Sequence, residues 1–237
     1  MTIAVNLAPV TPLRFYLGTN QGLYRSKWEA LSNDKKFTSF ELVSGTEGQV
    51  WTLDKVDNTL LMGHDRGLFE VGKNHVNRID QQTEGVWNIV TYRGYLITSN
   101  YNGISIFRKA NGEWTFVKKM DLIYGSCIQL VFRGFKILWI NIPNFGIIRA
   151  VLDENFHPVE RLIFPDSLFS GTSMWIATVN QDIMVFTDKF KYSYNLGSST
   201  FVQHAEPVIM PRVENLLSGI YGSAPLHKDY EFYPVYN

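Results

Sequence analysis

Five histidines (His64, His75, His157, His204 and His227) and one cysteine (Cys127) are the side chains best suited to holding a metal or acting as nucleophiles. No two of the histidines stand at the i, i+4 or short-loop spacing of a metal site, and the cysteine joins none of them. Cys127 lies in the apolar stretch Cys127-Ile128-Gln129-Leu130-Val131-Phe132. Nothing there would stabilise a thiolate, so a buried, inert thiol is expected. A lone cysteine fits the cytosol without excluding an oxidising compartment. The chain contains no Gly-x-Ser-x-Gly, P-loop or dinucleotide fingerprint, and Gly45-Thr46-Glu47-Gly48 reads as a connection, not a phosphate cradle. The sequence therefore assigns no catalytic residue, metal or cofactor.

Two further groups of residues bear on function. Glycoside hydrolysis needs two carboxylates held about 5–10 Å apart. Asp65, Glu84, Asp166 and Asp182 are candidates on loops, although each also reads as a turn or edge residue. The second group is Asn20, His64, Asp65, Arg66, Asn100, Tyr101 and Asn144, all in short polar turns. Amides, an aromatic ring and mixed charges suit sugar hydroxyls and carboxylates, and loops on a rigid scaffold commonly bind. Turn propensity explains the asparagines equally well.

The elements that must position these turns form a repeat. Leu13–Ser26, Thr59–Val71, Tyr95–Phe107 and Ile137–Val151 each read as strand, polar turn and strand around a glycine, and Ile183–Asn195 fits with Lys191 in its place. The anchors Gly22, Gly67, Gly103, Gly146 and Lys191 are spaced by 45, 36, 43 and 45 residues. Four residues before them stand Gly18, Gly63, Ser99, Ile142 and Thr187; sixteen before the last four stand Trp51, Trp87, Leu130 and Trp175. Four short strands per unit, as in Gln49–Lys55, Thr59–Gly63, Gly67–Val71 and His75–Ile79, are the pattern of β-propeller blades. The third unit reads Val86–Thr91, Tyr95–Ser99, Gly103–Phe107 and Trp114–Lys118, with Asn111-Gly112 as a tight turn.

The anchor glycines are expected in turns that need positive φ. The tryptophans are expected to pack between neighbouring blades. Strand direction alternates within a blade, so the turns between second and third strands share a face with the inter-blade connections. The expected fold is all-β: one β-propeller domain over residues 1–237, with five recognisable four-stranded antiparallel blades and partial end strands. Ile3–Leu7 could supply the first inner strand, and Glu214–Tyr221 and Asp229–Val235 resemble the start of a sixth blade. Arg212–Gly219 is the one segment compatible with a short helical turn. This count leaves ring closure open and points to a fragment of a longer protein, or to closure by strand exchange or a partner.

Composition agrees with this reading. The aromatic fraction is 14%, which favours strands, and 22 basic residues balance 22 acidic ones. A neutral chain gives no basic footprint for nucleic acid or anionic lipid. Residues 1–10 lack the charged and apolar regions of a signal peptide, and no apolar run is long enough to span a membrane.

Leu17-Gly18-Thr19-Asn20-Gln21-Gly22-Leu23-Tyr24-Arg25 resembles the two-component regulator propeller repeat, in which a strand ending Gly-Thr leads to a Gly-Leu-Tyr strand. Met62 to Glu70 is similar, Ser99–Ile106 and Asn141–Arg149 are looser, and Thr187–Tyr194 has lost the glycine. The resemblance implies a periplasmic sensor region of a hybrid histidine kinase or related membrane-bound regulator. It further implies a non-catalytic module that detects a small oligosaccharide, next to flanking receptor domains or a second copy. An interaction scaffold for protein partners and a propeller-fold glycosidase are the alternatives.

Overall fold

The computed structural model describes residues 16–30, 35–73 and 75–205. Ile3–Leu7, Arg212–Gly219, Glu214–Tyr221, Asp229–Val235 and His227 lie outside them. The described residues form five antiparallel sheets that follow one another along the chain. Blade 1 contains β1 (Tyr16–Thr19), β2 (Gly22–Ala30) and β3 (Lys35–Leu42). Blade 2 contains β4 (Val50–Val56), β5 (Thr59–His64), β6 (Gly67–Val71) and β7 (Val76–Arg78). Blade 3 contains β8 (Val86–Tyr92), β9 (Tyr95–Asn100), β10 (Gly103–Ala110) and β11 (Glu113–Lys119). Blade 4 contains β12 (Gln129–Arg133), β13 (Ile137–Ile142), β14 (Gly146–Leu152) and β15 (Pro158–Pro165). Blade 5 contains β16 (Met174–Val179), β17 (Asp182–Thr187), β18 (Lys191–Asn195) and β19 (Thr200–Gln203). Each sheet is a simple meander, and the all-β propeller architecture is as the repeat predicts. A 3₁₀ turn at Asp166–Leu168, which the sequence pattern did not signal, is the one helical element among the described residues.

The packing explains why the strands read as unbroken apolar runs. Four hydrophobic cores lie between successive blades, and adjacent residues of one strand enter different cores. Leu60 and Met62 pack toward blade 1, whereas Leu61 packs toward blade 3. Leu138 and Ile140 face blade 3, whereas Trp139 faces blade 5. Side chains alternate across a strand, so a sheet covered on both faces needs apolar residues at every position. Trp139 is buried against Phe164, Tyr194 and Phe201, and truncating such a side chain costs about 3–5 kcal/mol. Cys127 is buried in the core between blades 3 and 4, and burial pushes its thiol up to about 12. The cores link blade 1 to 2, 2 to 3, 3 to 4 and 4 to 5; none joins blade 5 to blade 1 among the described residues.

The anchor glycine does more than close a turn. Gly67 has φ +127°, and a Cβ there would stand 2.6 Å from the carbonyl oxygen of Thr83, in the connection leaving its blade. The same backbone approach recurs at Gly22 and Gly103, from Thr46 and Ile123. The repeat glycine therefore lets the outgoing connection lie flat on the blade. In blade 5 Lys191 is an ordinary strand residue paired with Phe186, and the turn is closed by Thr187, whose Oγ1 accepts the Lys189 and Phe190 N–H groups.

Candidate functional site

In blades 1, 2 and 5 the turns between second and third strands share one construction. The last residue of the second strand closes the turn with its side chain. Thr19 Oγ1 accepts the Gln21 N–H at 3.0 Å. His64 Nδ1 accepts the Arg66 N–H at 3.1 Å, and Nε2 donates to the Thr46 carbonyl at 3.2 Å. This fixes the imidazole as the neutral Nε2–H tautomer, and burial, the largest influence, holds His64 below its ordinary value. Asn100 is likewise buried, donating to Ser105 Oγ at 2.8 Å, which also accepts from Thr83 Oγ1 at 3.1 Å. His64 and Asn100, expected to face a ligand, are therefore internal struts. Sequence alone could not distinguish a solvated turn residue from one facing the connection beneath it.

The next residue in the turn differs from blade to blade. In blades 2, 3 and 5 it is Asp65, Tyr101 and Asp188, lying over Gly48, Gly85 and Gly171 of the incoming connection, each with positive φ. Asp188 Oδ1 accepts the Thr172 and Ser173 N–H groups at 2.7 and 3.4 Å, and Oδ2 accepts the Thr172 hydroxyl at 3.1 Å. These bonds, led by the Thr172 N–H, hold Asp188 below the usual carboxylate range. Asp65 is different. Its Oδ1 is turned in against His64 Nδ1, which already accepts the Arg66 N–H, and it has no hydrogen-bond partner.

Asp65 adjoins an aromatic cluster. Trp51 and Trp87 stand at β-bulges on the inner strands β4 and β8, where the registers shift between Val50 and Thr52 and between Val86 and Asn88. A bulge turns its extra residue away from the regular alternation. Both indoles are half-buried, with ring centroids 4.0 Å apart and planes inclined by 35°. Trp51 Nε1 donates to the Tyr101 hydroxyl at 3.0 Å, and the Tyr101 ring lies 5.4 Å from Trp87. Burial raises the Tyr101 phenol above its ordinary value, and the Asp65 carboxylate adds to the rise. The Trp87 N–H has no partner.

The expected packing of the tryptophans between neighbouring blades holds in part. Trp51 and Trp87 touch across neighbouring blades but stand outside the inter-blade cores, half-exposed. A fixed offset of sixteen residues did not mark one structural position. Blades 4 and 5 lack the bulge, and their turns are longer, so Leu130 falls in a core and Trp175 stacks on Phe186. The bulges, which turned these tryptophans outward, left no signal in the sequence.

Arg66, exposed, donates to the Gly45 and Glu47 carbonyls at 3.0 Å each, so it braces the loop beside Asp65. Asn20 and Asn144 are exposed in the turns of blades 1 and 4, and no bond brings them to this cluster; Asn144 has the positive φ, +58°, of a turn-former. Of the candidate carboxylates, Asp182 is the first residue of β17, at the opposite face, 3.6 Å from Arg133. Asp166 lies on the 3₁₀ turn between blades 4 and 5.

Solved propellers share this architecture. The extracellular domain of a putative hybrid two-component system from B. thetaiotaomicron matches with a TM-score of 0.58 and 13% identity over 81% of this chain and 29% of that chain. A second structure of the same protein's extracellular domain, described as that of a putative one-component system, gives 0.59 and 14% over 87% and 28%. The WD40 propeller domain of Doa1 gives 0.56 and 10% over 89% and 68%. The likeness is one of fold. The chain spans less than a third of that extracellular domain. No family pattern matches the chain, and no curated protein matches it. Among the described residues no helix is long and apolar enough to cross a membrane, and no three His, Cys, Asp or Glu gather as metal ligands.

Proposed function

We propose that this chain is a non-catalytic, ligand-sensing propeller module of a bacterial signal-transduction receptor, acting in the periplasm on a small glycan. The observation that carries this reading is the Trp51–Trp87–Tyr101 cluster. Large aromatic side chains are left half-exposed on a face built by rigid strands, beside the part-exposed Asp65 carboxylate, whose inward oxygen has no hydrogen-bond partner. The propeller fold seen in both structures of the B. thetaiotaomicron extracellular domain supports the receptor context. Calorimetric titration with glycan fragments, paired with a hydrolase assay on the same fragments, tests the reading. Binding without turnover is expected. Turnover without measurable non-productive binding would end it in favour of a glycosidase.

One observation favours a second reading, a protein-binding scaffold. On the opposite face, Phe135 is 83% exposed and Leu196 58%, and both line a groove of about 410 Å³ with Arg133, Lys136 and Ile137. Exposed large apolar side chains ringed by charge mark protein contacts. A stable homodimer or a complex with flanking receptor domains, abolished by Phe135→Ser while glycan affinity is unchanged, would place the scaffold role on this face.

A further inference from the structure

We infer that the Trp51–Trp87–Tyr101 ledge with Asp65 is a subsite for one pyranose ring of a neutral or amino sugar, and that it discriminates against uronates. The inference rests on the sensor reading and deepens it. Two independent features locate the subsite. The rings of Trp51 and Trp87 stack, with centroids 4.0 Å apart and planes inclined at 35°, so they form one part-exposed apolar ledge and do not enclose a box. Beside that shelf two polar groups lack partners, the Trp87 N–H donor and the Asp65 Oδ1 acceptor. A buried polar atom without a partner is costly, and a ligand that supplies one recovers that cost. Sugar hydroxyls both donate and accept, so one ligand class answers both groups. An ammonium ion could satisfy Asp65 but has no acceptor for the indole N–H.

Asp65 can turn to meet a ligand. Its side chain is 34% exposed; Oδ1 itself is buried against His64 Nδ1 and has no hydrogen bond to lose when the carboxylate turns to meet a donor. Asp188, at the same point of the blade 5 turn, would have to surrender bonds to Thr172 and Ser173. Blade 5 thus shows how this position looks when an aspartate serves the fold alone. The selectivity follows from charge. The loops framing the shelf carry Glu47, Asp65, Asp80 and Glu84 against Arg66, with Arg78 at the adjoining strand end. Arg66 is bound to the Gly45 and Glu47 carbonyls, so no guanidinium is aimed over the rings to receive a carboxylate.

The full chain titrated with cellobiose, chitobiose and digalacturonate, followed by tryptophan fluorescence and calorimetry, tests the assignment. Binding of cellobiose or chitobiose is expected to exceed that of digalacturonate. Asp65→Asn and Trp87→Ala should each weaken it about tenfold, equivalent to about 1.4 kcal/mol, and Asp188→Asn should leave it unchanged. Asp65→Asn preserves shape, so it remains informative if Trp87→Ala does not fold. Saccharide binding that is indifferent to Asp65→Asn and Tyr101→Phe would overturn the ledge and leave the sensor reading standing. Absence of binding by any of the three sugars would remove both. Tighter quenching by tetramethylammonium than by the sugars would overturn the saccharide assignment and make the ledge a cation site.

Discussion

Blades 2 and 5 build the same turn from different residues. In blade 5, Thr187 closes the turn and Asp188 accepts three hydrogen bonds from the incoming connection. In blade 2, a buried neutral histidine closes the turn, a glycine admits the outgoing connection, and the following aspartate leaves one oxygen without a partner. The backbone demands are alike and both turns meet them. What differs is the residue left over once those demands are met, and the proposed site is built on that residue.

The largest expected difference concerns the anchor. Gly67→Ala places a Cβ against the Thr83 carbonyl at positive φ and should destabilise the chain by about 3 kcal/mol. Lys191→Gly in blade 5 should cost about 1 kcal/mol or less, since the position is a regular strand residue. Urea unfolding of the two variants measures both. Equal losses would mean that the connection does not press on the blade 2 anchor.

The strand-end residues come next. His64→Ala removes two hydrogen bonds in a buried site and should cost about 2 kcal/mol. The two blades should also part company with pH. His64 is held below its ordinary value of 6.5, so the unfolded chain binds its proton first. Stability is therefore complete above about that pH and falls as pH drops through the lowered folded value. Asp188 is held below its ordinary 3.8, so its contribution persists to more acid pH and is lost only through its own folded value. Melting temperature measured against pH should show the earlier fall, flattened by His64→Gln and unaffected by Asp188→Asn.

The smallest effect is the most discriminating. Asp188→Asn should lower the melting temperature at neutral pH, because it weakens acceptors already in use. Asp65→Asn should leave it unchanged or raise it, because Oδ1 has no bond to lose and the charge beside it is removed. A loss at Asp65 equal to that at Asp188 would mean that both aspartates serve the fold.

The scaffold was legible because its causes are local and repeated. Apolar runs such as Leu60-Leu61-Met62, flanked by polar turns and a glycine, specify a strand buried on both faces, and the strand limits of blades 2 and 3 follow to within a few residues. The ledge was half legible. Asp65 and Tyr101 stood out as turn residues, but Trp51 and Trp87 were read as core because an aromatic on an inner strand ordinarily is. Their exposure depends on two bulges whose cause is the pairing of β4 with β5 and of β8 with β9, a relation between strands that no single segment carries. The burial of His64 and Asn100 was illegible for a similar reason, since each answers to a connection elsewhere in the chain.

On the proposed reading, blades 2 and 3 present a ligand shelf while the corresponding part of blade 5 is structural. The indole N–H resonances of Trp51, Trp87 and Trp175, assigned by substitution and followed during a cellobiose or chitobiose titration, test it most directly. Trp51 and Trp87 should shift together along one binding curve while Trp175 stays in place. Movement of Trp175 with Trp51 and Trp87 stationary would contradict it.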